Sequence, residues 1–143
     1  MLNILEYTDR AIQSGKLKLR GDVVTERITY HDPCNLARSG WVIDQPRRIL
    51  RSFVKDFVEM EPRGRDNYCC GGGGGTVSID EMRKFRTSIG GQRKAEQLRA
   101  TGARYVVAPC ANCKKQLREV IEDHKLDMEV TGLHDLVLKA IEL

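Results

Sequence analysis

"ARYVVAPCANC", residues 103–113, is the stretch on which the reading of the whole chain turns. Residues 103–109 form a near-continuous apolar run of strand length. Such a run suits a parallel strand buried on both faces, whereas a strand with one wet face alternates. A Cys-x-x-Cys pair follows, at the start of a helical pattern in which Cys113, Leu117, Val120, Ile121 and His124 share a face. Sulfurs at a helix N-terminus have lowered thiol pKa values, and thiolate is the form that ligates metal and attacks sulfur.

Outward from this unit the same alternation repeats. Residues 23–30, "VVTERITY", read as a strand, and Asp44 and Pro46 open a helix with Ile49, Leu50, Phe53, Val54 and Phe57 on one stripe. A short extended piece lies near 57–61. Ser78 and Glu81 form an S-x-x-E capping box, which places a helix start near 79, broken or kinked at Gly90-Gly91. Residues 127–130 are a fourth strand, and Leu133, Leu136, Val137, Ala140 and Ile141 mark a last helix. A first helix carries Ile4, Leu5, Thr8, Ala11 and Ile12 and stops at Gly15. The pattern predicts one α/β domain of about four parallel strands with helices on both faces. Residues 1–15 form an N-terminal helix and 16–143 the domain proper.

The chain has 143 residues, enough for one domain with its own core. Its +4 net charge is spread among interspersed acids, and aromatics are few, which argues against nucleic acid. The N-terminus has no secretory signal pattern, and no apolar run approaches a membrane span. Five cysteines without an export signal argue against a disulfide framework and for metal or redox chemistry.

Each cysteine follows a strand: Cys34 the first, Cys69 and Cys70 the second, Cys110 and Cys113 the third. Open parallel sheets gather ligands at the C-terminal edge, so five sulfurs from three loops are expected to converge there. Five glycines, 71–75, follow Cys69-Cys70. Glycine permits close backbone approach and positive φ, so Gly71, Gly72 and Gly73 are expected to lie against a bound group with N–H groups turned to the sulfurs. Gly74 and Gly75, farther away, are expected to tolerate a side chain better. One zinc takes four ligands and so does a cubane cluster, which leaves a fifth sulfur over. Cys110-x-x-Cys113 alone also matches a thioredoxin-like dithiol. His31 is a candidate ligand or proton carrier, against its reading as a residue that orients its loop. Lys114, Lys115 and Arg118 read as a solvated face or as balance for cluster charge.

The set Cys34, Cys69-Cys70-Gly71 and Cys110-x-x-Cys113 resembles the cysteine-rich CCG domain of the heterodisulfide reductase family. The gaps of 34 residues between Cys34 and Cys69 and 39 between Cys70 and Cys110 suit it. The flanks "YHDPCNLAR", "CCGGGGG" and "APCANC" are most similar to the D-type subunit and to the K subunit of the Dsr sulfur-metabolism membrane complex. The resemblance implies a [4Fe-4S] cluster, noncubane where all five cysteines ligate it, with zinc as the alternative. It is a cluster that an aerobic preparation can lack. It further implies reduction of a disulfide or related sulfur–sulfur bond, other redox subunits that supply electrons, and a cytoplasmic place at the inner face of the membrane reached through those partners. Ala111 stands where many family members have proline, and no C-x-x-C-x-x-C run is present. The expectation is the C-terminal part of a longer subunit, or a one-cluster relative.

Overall fold

Burial of the third strand on both faces organises the molecule. The structure, a computed structural model, describes residues 1–142. Strand β3 (Tyr105–Val107) lies inside a four-stranded, all-parallel sheet with β1 (Ile28–Tyr30), β2 (Phe57–Val58) and β4 (Glu129–Thr131), in the order β2-β1-β3-β4. Val106 and Val107 are both fully buried, and they point to opposite sides. Val107 joins Leu5 of α1 (Ile4–Gln13), Ile49 and Leu50 of α2 (Asp44–Arg51) and Leu133 and Val137 of α5 (Leu133–Ala140). Val106 joins Ala95 and Leu98 of α3 (Gln92–Thr101) and Leu117 and Val120 of α4 (Ala111–Asp123). The continuous apolar run is therefore what a strand between two helical layers requires. The α/β class with helices on both faces stands as expected.

Several boundaries differ for tertiary reasons. β1 keeps only the last three residues of the expected strand, because Thr25, Glu26 and Arg27 are exposed and only an isolated bridge from Val24 to Val54 precedes them. α2 ends at Arg51, and Phe53 and Val54 enter the core from the turn beyond it. β4 begins two residues later than expected. α1 starts at Ile4, which faces outward, and its N-cap Asn3 forms a capping box with Glu6.

The largest departure is the segment after the glycines. No regular helix starts at 79 and the Ser78–Glu81 capping box does not form. Two short 3-10 turns, Thr76–Ser78 and Asp80–Met82, precede a π-helical turn at Phe85–Ile89, and α3 begins after Gly91. Contacts with α4 override the local signal. Lys115 Nζ donates to the Val77 carbonyl at 2.7 Å, Thr87 Oγ1 to Asp123 at 2.5 Å, and Arg86 reaches Gln116 and Glu119. Bonds at this density fix the segment in a wide path that a straight helix cannot follow.

Candidate metal centre

Strand order sets the place of the site. The chain steps from β1 outward to β2, then back past β1 to β3 and on to β4, so the order reverses between β1 and β3. Ligands of open parallel sheets collect at that reversal, beyond the strand C-termini. The loop after β1 carries His31, Asp32 and Cys34; the loop after β3 ends at Cys110, and Cys113 lies in the first turn of α4. His31 extends the ladder, its N–H bonded to the Val107 carbonyl at 2.9 Å.

The loop after β2 is longer and needs tethering. Asp32 is buried and accepts a bidentate pair from Arg47, at 2.9 and 2.8 Å, plus the Gly64 N–H at 2.8 Å. Arg47 also holds Glu59, through Nε at 2.8 Å and Nη2 at 3.0 Å. Asn67 Nδ2 donates to the Asp32 carbonyl at 3.1 Å. These charge-assisted bonds fasten residues 59–67 to the β1 loop, and so deliver Cys69 and Cys70 to Cys34. Asp32 is the anchor of this clamp.

The sulfurs meet as follows. Cys70 Sγ lies 3.3 Å from Cys113 Sγ, both buried. Cys34, Cys69 and Cys110 stand outside the tight group that Cys70 and Cys113 form with His31. Cys110 sits at the N-cap of α4, one turn before Cys113, and packs on the apolar cluster that includes Cys70 and Cys113. A ring nitrogen of His31 and the sulfurs of Cys70 and Cys113 all lie within 4.8 Å of one another. All five cysteines are free thiols. Cys69 is exposed, and Cys34 and Cys110 are half-buried, so the group opens to solvent on the Cys69 side. Hydrogen bonding to Cys113 and burial push the Cys70 thiol up to about 11, and the bond to Cys70 and burial push Cys69 higher still. Crowded thiols hold their protons, so a metal that binds here releases them.

The glycine run divides by position. Gly71 N–H points to Cys69 Sγ and Gly72 N–H to Cys70 Sγ, each at 3.4 Å. Gly71 has φ of +89°, and a Cβ on Gly72 would stand 2.9 Å from Gln116 Cβ and 3.2 Å from the Asn112 carbonyl oxygen. Positive φ at the first position and close approach at the second are the two properties that only glycine supplies cheaply. Gly73 has open space and no such φ. Gly74 and Gly75 also have open space, but their φ values of +62° and +79° correct the expectation of easy substitution: the obstacle there is the backbone.

Behind the sulfurs lies a polar layer that the sequence did not reveal. Lys94 of α3 is 1% exposed. Its Nζ donates to Asn67 Oδ1 at 3.0 Å, to Gln97 Oε1, and toward His31 Nδ1 at 3.4 Å. Asn67 Nδ2 also faces His31 Nδ1, at 3.3 Å. With two donors at Nδ1, the ring proton resides on Nε2. Burial, with Lys94 and Arg38 nearby, keeps the His31 imidazole neutral, well below its usual pKa. Burial pulls Lys94 down to about 8, against the attraction of Cys70, Cys69, Asp32 and Cys113. In "QRKAEQLRATG" nothing marks Lys94 as different from the solvated Arg93 and Arg99. Gln116, fully buried under the glycines, was likewise silent. By contrast Lys114 and Lys115 take surface roles, Lys114 3.7 Å from Asp135 and Lys115 on the Val77 carbonyl.

The family model described as "Cysteine-rich domain", CCG, matches residues 28–118. Among curated proteins, the chain is 33% identical over 147 residues to an Hdr-like menaquinol oxidoreductase iron-sulfur subunit of Archaeoglobus fulgidus, covering 98% of this chain and 26% of that one. It is 35% identical over 139 residues to a subunit of the fumarate reductase (CoM/CoB) of Methanothermobacter marburgensis, covering 96% and 26%. It is 32% identical over 145 residues to a subunit of the dihydromethanophenazine:CoB--CoM heterodisulfide reductase of Methanosarcina barkeri, covering 100% and 34%. The chain thus spans a quarter to a third of the length of these relatives.

Proposed function

The chain belongs to the CCG cysteine-rich domain family, and on that footing we propose that Cys34, Cys69, Cys70, Cys110 and Cys113 hold a [4Fe-4S] cluster of noncubane type at which a disulfide or related sulfur–sulfur bond is reduced. Its relatives are named as subunits of oxidoreductases, that of Archaeoglobus fulgidus as an iron-sulfur subunit, which supports an electron-transfer role within an oxidoreductase assembly. The observation that carries the proposal is the buried pair at the strand reversal: Cys70 Sγ lies 3.3 Å from Cys113 Sγ, with the Gly71 and Gly72 N–H groups turned to the Cys69 and Cys70 sulfurs. The donor set is thiol-rich, with no carboxylate among the grouped ligand atoms, which suits iron–sulfur chemistry. When bound, the cluster supplies one-electron steps to a sulfur substrate.

The chain's own residues do the rest. Gly71 and Gly72 direct N–H groups at Cys69 and Cys70, interactions of the kind that set cluster potential. His31, neutral with its proton on Nε2, is a hydrogen-bond donor rather than a ligand, because coordination through Nε2 would move that proton to Nδ1, where Lys94 and Asn67 already donate. Exposed Cys69 marks the side from which a disulfide substrate approaches. Electrons come from partner subunits. In this reading membrane contact at the cytoplasmic face is made through such partners; no helix among the described residues is long and apolar enough to cross a membrane.

Anaerobic purification followed by iron, sulfide and zinc analysis tests the reading. Iron and sulfide in equal amounts, with visible absorption bleached by reductant, is the expected result. Stoichiometric zinc without sulfide would replace the proposal by a structural zinc module. Metal-free protein whose activity survives replacement of Cys34, Cys69 and Cys70 would replace it by a Cys110–Cys113 dithiol.

A further inference from the structure

Buried ammonium groups are rare, and those that occur have a counter-charge, because an unpaired ion in the interior is costly. Lys94 is buried to 1% exposure, yet no carboxylate among the described residues lies within ion-pair distance of its Nζ. The buried carboxylate of Asp32 is already matched by the two bonds from Arg47. Three acceptors surround Nζ: Asn67 Oδ1, Gln97 Oε1 and His31 Nδ1. Three acceptors are the complement of an ammonium's three N–H donors, whereas a neutral amine has only two. Gln97 is held in turn, its Nε2 donating to the Pro62 carbonyl at 2.6 Å, and Asn67 by its bond to the Asp32 carbonyl. The ammonium is therefore held by these three acceptors, and it stands directly behind the sulfur site: His31, whose Nδ1 lies 3.4 Å from Nζ, has a ring nitrogen within 4.8 Å of the Cys70 and Cys113 sulfurs, which become thiolates when they bind metal.

We propose that Lys94 is a positioning residue of the sulfur site, a fixed positive charge that offsets the thiolates and the cluster they carry, favours the reduced cluster, and holds His31 with its proton on Nε2. The inference rests on the iron–sulfur reading. A positive charge beside a redox centre stabilises the added electron, and in a water-excluded site that influence is weakly screened. Lysine cations at the surface of α4, such as Lys114, act through water and counter-ions and are expected to matter less.

The test is a redox titration of anaerobically prepared, cluster-loaded protein, followed by electron paramagnetic resonance, in parent, Lys94→Met, Lys94→Gln, Lys94→Arg and Lys114→Met. Far-UV circular dichroism and iron content establish fold and loading. In both neutral variants the midpoint potential is expected to become more negative by at least the 59 mV that corresponds to a tenfold change in a one-electron equilibrium. Lys94→Arg should retain most of the parent potential, Lys114→Met should move it far less than the neutral Lys94 variants, and the Lys94 shift should persist at high salt. Iron-loaded neutral variants with the parent potential, or an equal shift from Lys114→Met, overturn the proposal and leave the iron–sulfur reading intact. Failure of both neutral variants to fold while Lys94→Arg folds makes the ammonium a structural ion and also overturns it. A parent protein that takes up no iron and sulfide brings down the reading and this inference together.

Discussion

Gly72→Ala is the substitution whose outcome the geometry determines most sharply. Gly72 lacks the positive φ of Gly71, so alanine meets no backbone obstacle there. Its methyl group would instead stand 2.9 Å from Gln116 Cβ and 3.2 Å from the Asn112 carbonyl oxygen, where the backbone of α4 cannot give. Gln116 cannot swing aside cheaply. It is fully buried, its Oε1 accepts from Arg86, and its Nε2 donates to the Arg86 carbonyl at 3.0 Å. Overpacking of this kind costs about 1–3 kcal/mol. For a domain near this size each kcal/mol lowers the Tm by roughly 2–4 °C, so a fall of about 4–8 °C is expected at the middle of that range. The strain has one outlet, movement of the glycine loop away from α4, which carries Cys70 away from Cys113. Gly73→Ala is the control, since its Cβ would enter open space without positive φ, and its effect should stay within about 0.5 kcal/mol. Thermal unfolding of the reduced, metal-free proteins gives the stability difference, and iron analysis after anaerobic reconstitution gives cluster content. Parent-like Tm and iron content in Gly72→Ala would refute the close-approach argument, and so would equal losses in Gly72→Ala and Gly73→Ala.

Three further outcomes are expected. Gly71→Ala forces a side chain to φ of +89°, which costs about 1–2 kcal/mol; reconstituted iron should fall while far-UV circular dichroism stays parent-like, and unchanged iron counts against the role of the turn. Cys113→Ser should abolish cluster binding but leave the helical spectrum, because the two apolar layers on either face of the sheet form a core without metal; wholesale unfolding at ordinary temperature would mean that the site holds the structure together. Arg47→Met leaves Asp32 buried with only the Gly64 N–H as an ion-stabilising partner, so urea unfolding should show a loss of about 3–5 kcal/mol, and a neutral result would remove the clamp from the account of how the loop is held.

Much of the candidate site could be read one-dimensionally. The run before Cys110 announced a strand covered on both faces, and Val106 and Val107 are covered by different helices. Cysteine placement after successive strands announced a meeting at one sheet edge, and the geometry brings Cys70 and Cys113 to 3.3 Å there. Local signals were less dependable where a second element competes. Ser78 and Glu81 carry a capping-box pattern, yet bonds from Lys115, Asp123, Gln116 and Glu119 bend that segment into 3-10 and π-helical turns. Propensity contributes tenths of a kcal/mol per residue, and several buried hydrogen bonds outweigh it.

By itself, then, the sequence determined the α/β class, the parallel sheet, the five sulfurs at its C-terminal edge and the need for glycine beside Cys70, since each follows from short-range periodicity and residue chemistry. Only the tertiary structure decided the strand order that puts a reversal between β1 and β3, the Asp32–Arg47–Glu59 clamp that brings in the second cysteine loop, and the burial of Lys94 against His31 and Asn67. These depend on which surfaces face one another. A lysine in an amphipathic helix looks alike in sequence whether its ammonium points to water or to a group of thiols, and only packing separates the two.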